Sequence, residues 1–422
     1  MVAKGQWLRG DFLGVDIPAD IDALMLGGVD FLNRAMSAAG TLEDGNAIAG
    51  IAGCEPCLGG STGQKVILEL EFARPPKTMD RRIFVKFSRD FSDPIRDAAK
   101  TQLEAEVKLG LLSNSPDFPI AVPRCYFADY HLASGTGIII NQCVGFGRDG
   151  IEPLYEKCLD YTIPQVLAHY QAIIKALAQL AGAQKSEKLA AAEALFPYRP
   201  ESQSFAAPIR YTEAQLQRRL EKLADFAKAY PQFLPAKFTQ PACIELLRNS
   251  LPHILSQEKT IKTQLSQPGD YIALMHWNAN IDNAWFWSDS AGQLRCGLMD
   301  WGGVSQMNIG LALWGALSAA ESELWEQDLD NLLAMFIDEY RRAGGPLLTH
   351  TRLKQDLVGS ALVMGLSWLM DAPALILREI PNLATVKDRC DPRFSRCESA
   401  RTQLQMLINF LNLWQIFIGE VS

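Results

Sequence analysis

The residues best suited to chemistry lie in one short stretch near residue 280. Asn278, Asp282 and Asn283 precede an apolar strand, and Asp300 follows a second one, with a Ser-Asp-Ser-Ala-Gly turn between them. This pattern predicts an antiparallel hairpin, which would bring the two polar ends together. Carboxylate and amide oxygens are the ligands that magnesium prefers. A single residue of this kind is better explained as a turn cap, but the whole set favours a metal site.

A second candidate pair lies nearer the N-terminus. Lys86 interrupts the apolar strand 83–87, and a helix is predicted from Asp93-Pro94 to about Leu112. At about 100° per residue, Glu106 falls on the apolar side of this helix, whose other members are Ile95, Ala99, Leu103, Val107 and Leu111. A carboxylate that faces a core needs a partner, so we expect Glu106 to pair with Lys86. The alternative is that Lys86 is an edge-strand charge that discourages aggregation.

A glycine-rich loop lies between two candidate strands before Lys86. It consists of Gly59, Gly60, Ser61, Thr62 and Gly63. Such a loop lets backbone amides approach phosphate oxygens, which makes it a candidate nucleotide-binding loop. A plain hairpin turn remains the alternative.

The order of elements predicts an α+β chain of two lobes. The first third is rich in strands, with candidates at 66–72, 83–87, 125–130 and 137–144, and a helical pattern covers 16–38. Helical patterns dominate after Pro153. We therefore expect a small β-rich lobe at residues 1–147 and a large, mainly helical lobe at 148–422. Gly145 to Gly150 matches GxGxxG, but Pro153 follows at once and the next segments are helices rather than alternating βαβ units, so we interpret it as the hinge between the lobes.

Composition argues against some classes of partner and location. The 422 residues carry a net charge of −8, which argues against a nucleic-acid partner. The apolar stretches 357–370 and 406–418 are too short to span a membrane, and no secretory signal is recognisable. The nine scattered cysteines suggest reduced thiols. We expect a cytoplasmic protein with no membrane partner.

The stretch from residue 276 to 301 resembles the catalytic and metal-binding loops of the aminoglycoside phosphotransferase and choline kinase group, including its ecdysteroid-kinase-like branch. In that family pattern, His-Gly-Asp is followed by four residues and then Asn, and a strand pair then ends in Asp-Trp or Asp-Phe. His276, Asn283 and Asp300-Trp301 match. The resemblance implies a protein-kinase-like fold, ATP and Mg²⁺ as cofactors, Asn283 and Asp300 as magnesium ligands, and Lys86 with Glu106 at the phosphates.

One departure from the family pattern affects the predicted activity. Asn278 stands where the family has its catalytic Asp, and Trp277 replaces the preceding Gly. An amide cannot accept the proton of a hydroxyl, although Asp282 is close in sequence; His276 is better suited to anchoring the loop. We expect an ATP- and Mg²⁺-dependent phosphotransferase that acts on a hydroxyl of a small molecule, with Asn278 orienting the acceptor. The alternative is a pseudokinase that binds nucleotide or ligand without turnover. The acceptor and the oligomeric state are not specified by any motif.

Overall fold

The chain folds into two compact units. A computed structural model describes residues 2–57, 60, 62–203 and 207–421. The first unit comprises Met1–Ile151, Leu189–Leu195 and Gly297–Val304, and the second comprises Glu152–Lys188, Phe196–Cys296 and Ser305–Ser422. The α+β class is confirmed, since the first unit is built on a sheet and the second is mainly helical. The boundary predicted at 147/148 stays a prediction.

A five-stranded antiparallel sheet forms the centre of the first unit. The strands of this unit are β1 Trp7–Arg9, β2 Asp16–Pro18, β3 Ile48–Pro56, β4 Lys65–Phe72, β5 Arg82–Phe87, β6 Cys125–His131 and β7 Thr136–Gln142. The order of strands in the sheet is β3-β4-β5-β7-β6. The predicted hairpin of two β-rich segments is present, with Leu68 of β4 opposite Ile83 of β5. A separate short pair, β1 and β2, precedes the sheet.

Helices pack on both faces of this sheet. Helix α1, Ile21–Ala38, contributes Phe31 and Leu32 to a core that also contains Val85 and Ile140. The predicted start at residue 16 was wrong, because residues 16–18 pair as a strand and Asp20 caps the helix by accepting from the Ala23 amide. The helix is also kinked at Gly28, whose φ of 50° few other residues tolerate.

The long helix predicted after Asp93 is divided in two. Helix α2 covers Pro94–Ala98 and helix α3 covers Gln102–Ser113. Between them, the amides of Ala99 and Lys100 donate to carbonyls three residues earlier, which tightens the chain and ends the α-helical ladder. The break turns Ile95 out of the predicted apolar side, and it is 83% exposed. Helix α3 packs through Leu103 and Val107 on β6 and β7.

The second unit is mainly helical. The apolar stretch 406–418 lies within α13, Glu398–Val421, and all but the last two residues of the stretch 357–370 lie in α10, His350–Trp368, so both form helices as predicted. In the described part of the chain, no single helix is long and apolar enough to cross a membrane; α10 and α11 reach that length and composition only when taken together, bent by 52°. Short helix α5, Ala190–Leu195, belongs to the first unit. The remaining helices are α4 Val166–Lys185, α6 Glu213–Ala229, α7 Pro241–Leu265, α8 Ile309–Leu317, α9 Leu329–Arg342, α10 His350–Trp368, α11 Ala372–Glu379, α12 Pro392–Ser395 and α13 Glu398–Val421.

Two small sheets lie between α7 and α8. The predicted hairpin is present as β9, Ala284–Ser288, and β10, Leu294–Leu298. The sequence pattern did not reveal that β8, Ile272–Met275, pairs with β11, Ser305–Asn308. This pairing closes the chain into a loop whose ends are held together, and the candidate residues at 276–283 follow β8 directly. The division between the two units falls within β10.

Candidate active site

The alternation of side chains along β5 places Lys86 opposite the α1 core. Ile83, Val85 and Phe87 lie in the core with α1. Successive side chains of a strand point to opposite faces, so Lys86 lies on the face that α3 covers. Lys86 lies opposite Ile139 of β7, which packs in one cluster with Leu103 and Val107 of α3. A lysine in this position is surrounded by core rather than by solvent and is only 4% exposed.

Two carboxylates hold the Lys86 ammonium group. Lys86 Nζ lies 2.7 Å from Glu106 Oε1 and 3.0 Å from Asp300 Oδ1. Glu106 is 6% exposed, whereas the Asp300 side chain is 53% exposed. The predicted pairing of Lys86 with Glu106 is therefore present, and Lys86 is not an edge-strand charge. The contact with Asp300 was not predicted.

The three charges perturb one another. Burial alone would lower the pKa of Lys86, but Glu106 and Asp300 outweigh it and raise the pKa above its usual range. Burial raises the pKa of Glu106 to about 7, against the opposing effect of Lys86. Burial also opposes ionisation of Asp300, but Lys86 holds the pKa of Asp300 below its usual range. The exposed acid is thus the one that stays ionised, as a metal ligand must be.

Asp300 stands in a strained turn that is held from both sides. Its φ is +61°, a left-handed conformation that Asp tolerates better than most residues. Before it, the Leu298 amide donates to the Ala121 carbonyl over 3.0 Å. After it, buried Trp301 donates from Nε1 to the Leu298 carbonyl over 2.9 Å. Strain that the surroundings maintain in this way is typical of functional positions.

The glycine-rich loop is only partly covered by the structure. Gly59 and Ser61 lie outside the described residues. Gly60 and Gly63 have φ of +73° and +52°, and a Cβ on Gly63 would overlap the Phe87 carbonyl oxygen. Thr62 is buried. The described part of the loop therefore passes close to the end of β5, one residue beyond Lys86, where only glycine fits.

In the second unit, the loop after β8 is held by its own polar side chains. Buried His276 accepts through Nδ1 from the Asn278 amide at 3.0 Å, as an anchoring residue would. The Asn278 carbonyl accepts from Asn283 Nδ2 at 2.7 Å, and Asn278 Oδ1 accepts from Asn280 Nδ2. Hydrogen bonds thus join His276, Asn278, Asn280 and Asn283 in a single network.

Asp282 lies outside that network. Its Oδ2 is 3.5 Å from Lys157 Nζ, and its Oδ1 is buried with no hydrogen-bond partner among the residues that the structure covers. Burial raises the pKa of Asp282, although Lys157 opposes this. Sequence reasoning missed Lys157, because 125 positions separate it from Asp282 and no local pattern links them. Asp282 is a carboxylate of raised basicity close in sequence to Asn278.

The described residues contain no ready-made cluster of strong metal ligands. Within the described ranges, no group of three or more His, Cys, Asp and Glu side chains is arranged to hold a metal ion. All nine cysteine thiols are free. The predicted magnesium ligands, Asn283 and Asp300, belong to different units, so their joint role stays a prediction. An amide and a carboxylate oxygen nevertheless suit Mg²⁺, which usually takes few protein ligands and keeps several waters.

No protein-family model and no curated protein matches this chain. Among solved structures, choline kinase from Cryptosporidium parvum Iowa II has a TM-score of 0.42 and 11% identity, over 93% of this chain and 96% of that one. Plasmodium vivax ethanolamine kinase has a TM-score of 0.38 and 13% identity, over 87% and 81%. The GDP complex of aminoglycoside 2'-phosphotransferase-IIIa has a TM-score of 0.40 and 12% identity, over 89% and 95%.

At these TM-scores and identities, the likenesses by themselves support no conclusion about activity or substrate. The ecdysteroid-kinase-like branch stays a prediction. The chain is similar to solved aminoglycoside phosphotransferases and to choline and ethanolamine kinases, the group that residues 276–301 resemble.

Proposed function

We propose that this protein is an ATP- and Mg²⁺-dependent phosphotransferase that acts on a hydroxyl group of a small molecule. The observation that carries the proposal is the position of Lys86, a buried lysine between buried Glu106 and exposed Asp300. Phosphoryl transfer depends mainly on positioning and on neutralising charge. A lysine held rigidly by one acid, beside a second acid that stays ionised, is suited to both tasks.

Each candidate residue has a role in this proposal. Lys86 neutralises phosphate oxygens, and Glu106 holds it in place. Asp300 and Asn283 are the residues that would hold Mg²⁺, which when bound neutralises the charge of the phosphates. Asn278 orients the acceptor hydroxyl.

The second candidate is a pseudokinase that binds nucleotide without turnover. Its basis is Asn278, which stands where the resembled family has its catalytic Asp. The Asn278 side-chain oxygen already accepts from Asn280, and a carboxamide is too weak a base to take a proton at neutral pH. Measurable transfer to any hydroxyl acceptor would contradict this candidate.

The decisive experiment is thermal melting with ATP, with and without Mg²⁺. A ligand that binds only the folded state raises the melting temperature. We expect a Mg²⁺-dependent rise in wild type, its loss in Asp300→Ala, and its retention in Asp117→Ala, a control at an exposed aspartate of the same unit. Absence of any shift at millimolar ATP would refute both candidates. A shift without transfer, over a panel of hydroxyl acceptors, would favour the pseudokinase.

A further inference from the structure

A second lysine lies beside Lys86. The register of the β4–β5 ladder places Lys65 directly opposite Lys86. Side chains of directly opposed residues lie on the same face of a sheet, with Cβ atoms about 5 Å apart. Lys65 therefore shares the face that carries Lys86, Glu106 and Asp300. It is half-buried. The sequence did not reveal this pairing, because the loop 73–81 does not determine the register of the two strands.

Two like charges in this position are costly without a counter-charge. Directly opposed like charges destabilise a sheet, and removal from water adds to the cost. Burial lowers the pKa of Lys65, and the Lys86 charge lowers it further. The charges of Asp300 and Glu106 offset part of this lowering. A bound anion between the two lysines would add to that offset.

Gly60, in the described part of the glycine-rich loop, lies against the same lysine. A Cβ on Gly60 would overlap Lys65 Nζ, so the ammonium group rests on the backbone of this residue. Arg96 donates from Nη2 to the Gly60 carbonyl over 2.8 Å and lies 3.7 Å from Asp90. Lys65 and Arg96 thus bring two cationic groups to Gly60. Gly60 has a φ of +73°. Because it lacks a side chain, it leaves space for the Lys65 ammonium group, which a larger residue would occupy.

We propose that Lys65 is a second phosphate-binding lysine, and that with the backbone of Gly60 it forms a subsite for the polyphosphate chain of the ligand. This inference rests on the proposed function. Lys86, held by two acids, would contact one phosphate group; Lys65, one strand away, would contact its neighbour. The ligand chemistry is that of two or more linked phosphates, from a nucleoside triphosphate or from free polyphosphate.

The experiment is calorimetric titration of the full chain with ATP, AMP and inorganic tripolyphosphate, each with Mg²⁺. The variants are Lys65→Met, Lys65→Arg and the control Lys77→Met, which removes an exposed lysine of the same unit. Lys65→Met should weaken binding of ATP and tripolyphosphate about tenfold and that of AMP much less, since one charge-assisted contact to a linked phosphate is lost. Lys65→Arg should restore most of the affinity, and Lys77→Met should match wild type.

The outcomes separate the two proposals. If wild type binds ATP and Lys65→Met binds it equally well, Lys65 is not a phosphate ligand while the proposed function stands. If wild type binds neither ATP nor tripolyphosphate, the proposed function fails, and the subsite with it. If only ATP binds and Lys65→Met weakens it, the source of the phosphates is the nucleotide. Should Lys65→Met fail to fold, Gly60→Ala provides the same test, because its Cβ would displace the lysine.

Discussion

Lys86 Nζ and Glu106 Oε1 lie 2.7 Å apart, and both side chains are buried. The lysine belongs to a central strand and the glutamate to the helix that covers it. Asp300 approaches the same ammonium group at 3.0 Å from a turn more than two hundred residues away. In the proposed function, Glu106 fixes the lysine so that Asp300 is left to bind the metal ion.

Replacement of Glu106 should impair nucleotide binding without abolishing the fold. In Glu106→Gln, Lys86 keeps only Asp300 as a charged partner, so the acid needed by the metal is drawn to the lysine. We expect ATP affinity with Mg²⁺ to fall about tenfold, the equivalent of one charge-assisted hydrogen bond. Calorimetric titration would measure it.

The matched control for this variant is Glu104→Gln on the same helix. Glu104 pairs with Lys108 at 2.6 Å, four residues on, with both side chains partly exposed. Such pairs contribute about 0.5 kcal/mol or less, so ATP affinity should not change. Equal losses in both variants would indicate damage to the helix rather than a role for Glu106.

The raised pKa of Glu106 predicts a specific pH dependence of stability. The folded state holds the Glu106 proton up to about pH 7, whereas the unfolded state releases it near 4.5. The folded state thus binds more protons between these values, and the free energy of unfolding must fall as pH rises through them. Between pH 4.5 and pH 7.5, the free energy of unfolding of wild type should fall by at most about 3 kcal/mol more than that of Glu106→Gln. Urea titrations at pH 4.5 and pH 7.5 would measure the difference, and a difference independent of pH would contradict the raised pKa.

Restoring a carboxylate at position 278 should increase turnover. Asn278→Asp keeps an oxygen that can accept from Asn280 and supplies the base that the resembled family carries there. General base catalysis typically contributes at least about a hundredfold, so ATP turnover in the presence of a hydroxyl acceptor, measured as ADP release, should rise by that order. Asn278→Leu should show no rise. If Asn278→Asp and wild type have the same rate, the missing base is not what limits the protein, and Asp282 becomes the residue to test.

The two glycines Gly63 and Gly147 separate backbone strain from steric overlap. Both have positive φ, +52° and +72°. A Cβ on Gly63 would overlap the Phe87 carbonyl oxygen, while one on Gly147 would meet no heavy atom within 4 Å. Gly147→Ala should cost about 1 kcal/mol of unfolding free energy, and Gly63→Ala about 2 to 4 kcal/mol. Chemical denaturation would measure both, and similar costs would show that the loop yields to the methyl group.

The sequence predicted the local elements and part of the site. Runs rich in β-forming residues located the strands around Lys86, because branched and aromatic side chains pack well on a pleated, half-buried surface. Helical phase placed Glu106 towards the core even though the helix is broken before Gln102, because the phase from Leu103 onward does not depend on the lost turn. The turn between β9 and β10 was predicted from its composition. Each of these results depends on residues close together in the chain.

Contacts between distant segments were decided by the tertiary structure alone. The pairing of β8 with β11, the approach of Asp300 to Lys86 and the contact of Lys157 with Asp282 all join residues that share no local pattern. The position of Lys65 opposite Lys86 depends on strand register, which the loop 73–81 does not determine. Local periodicity therefore predicted which residues face the core. Which charged side chains contact one another was decided by strand register and packing, because these depend on burial over the whole unit.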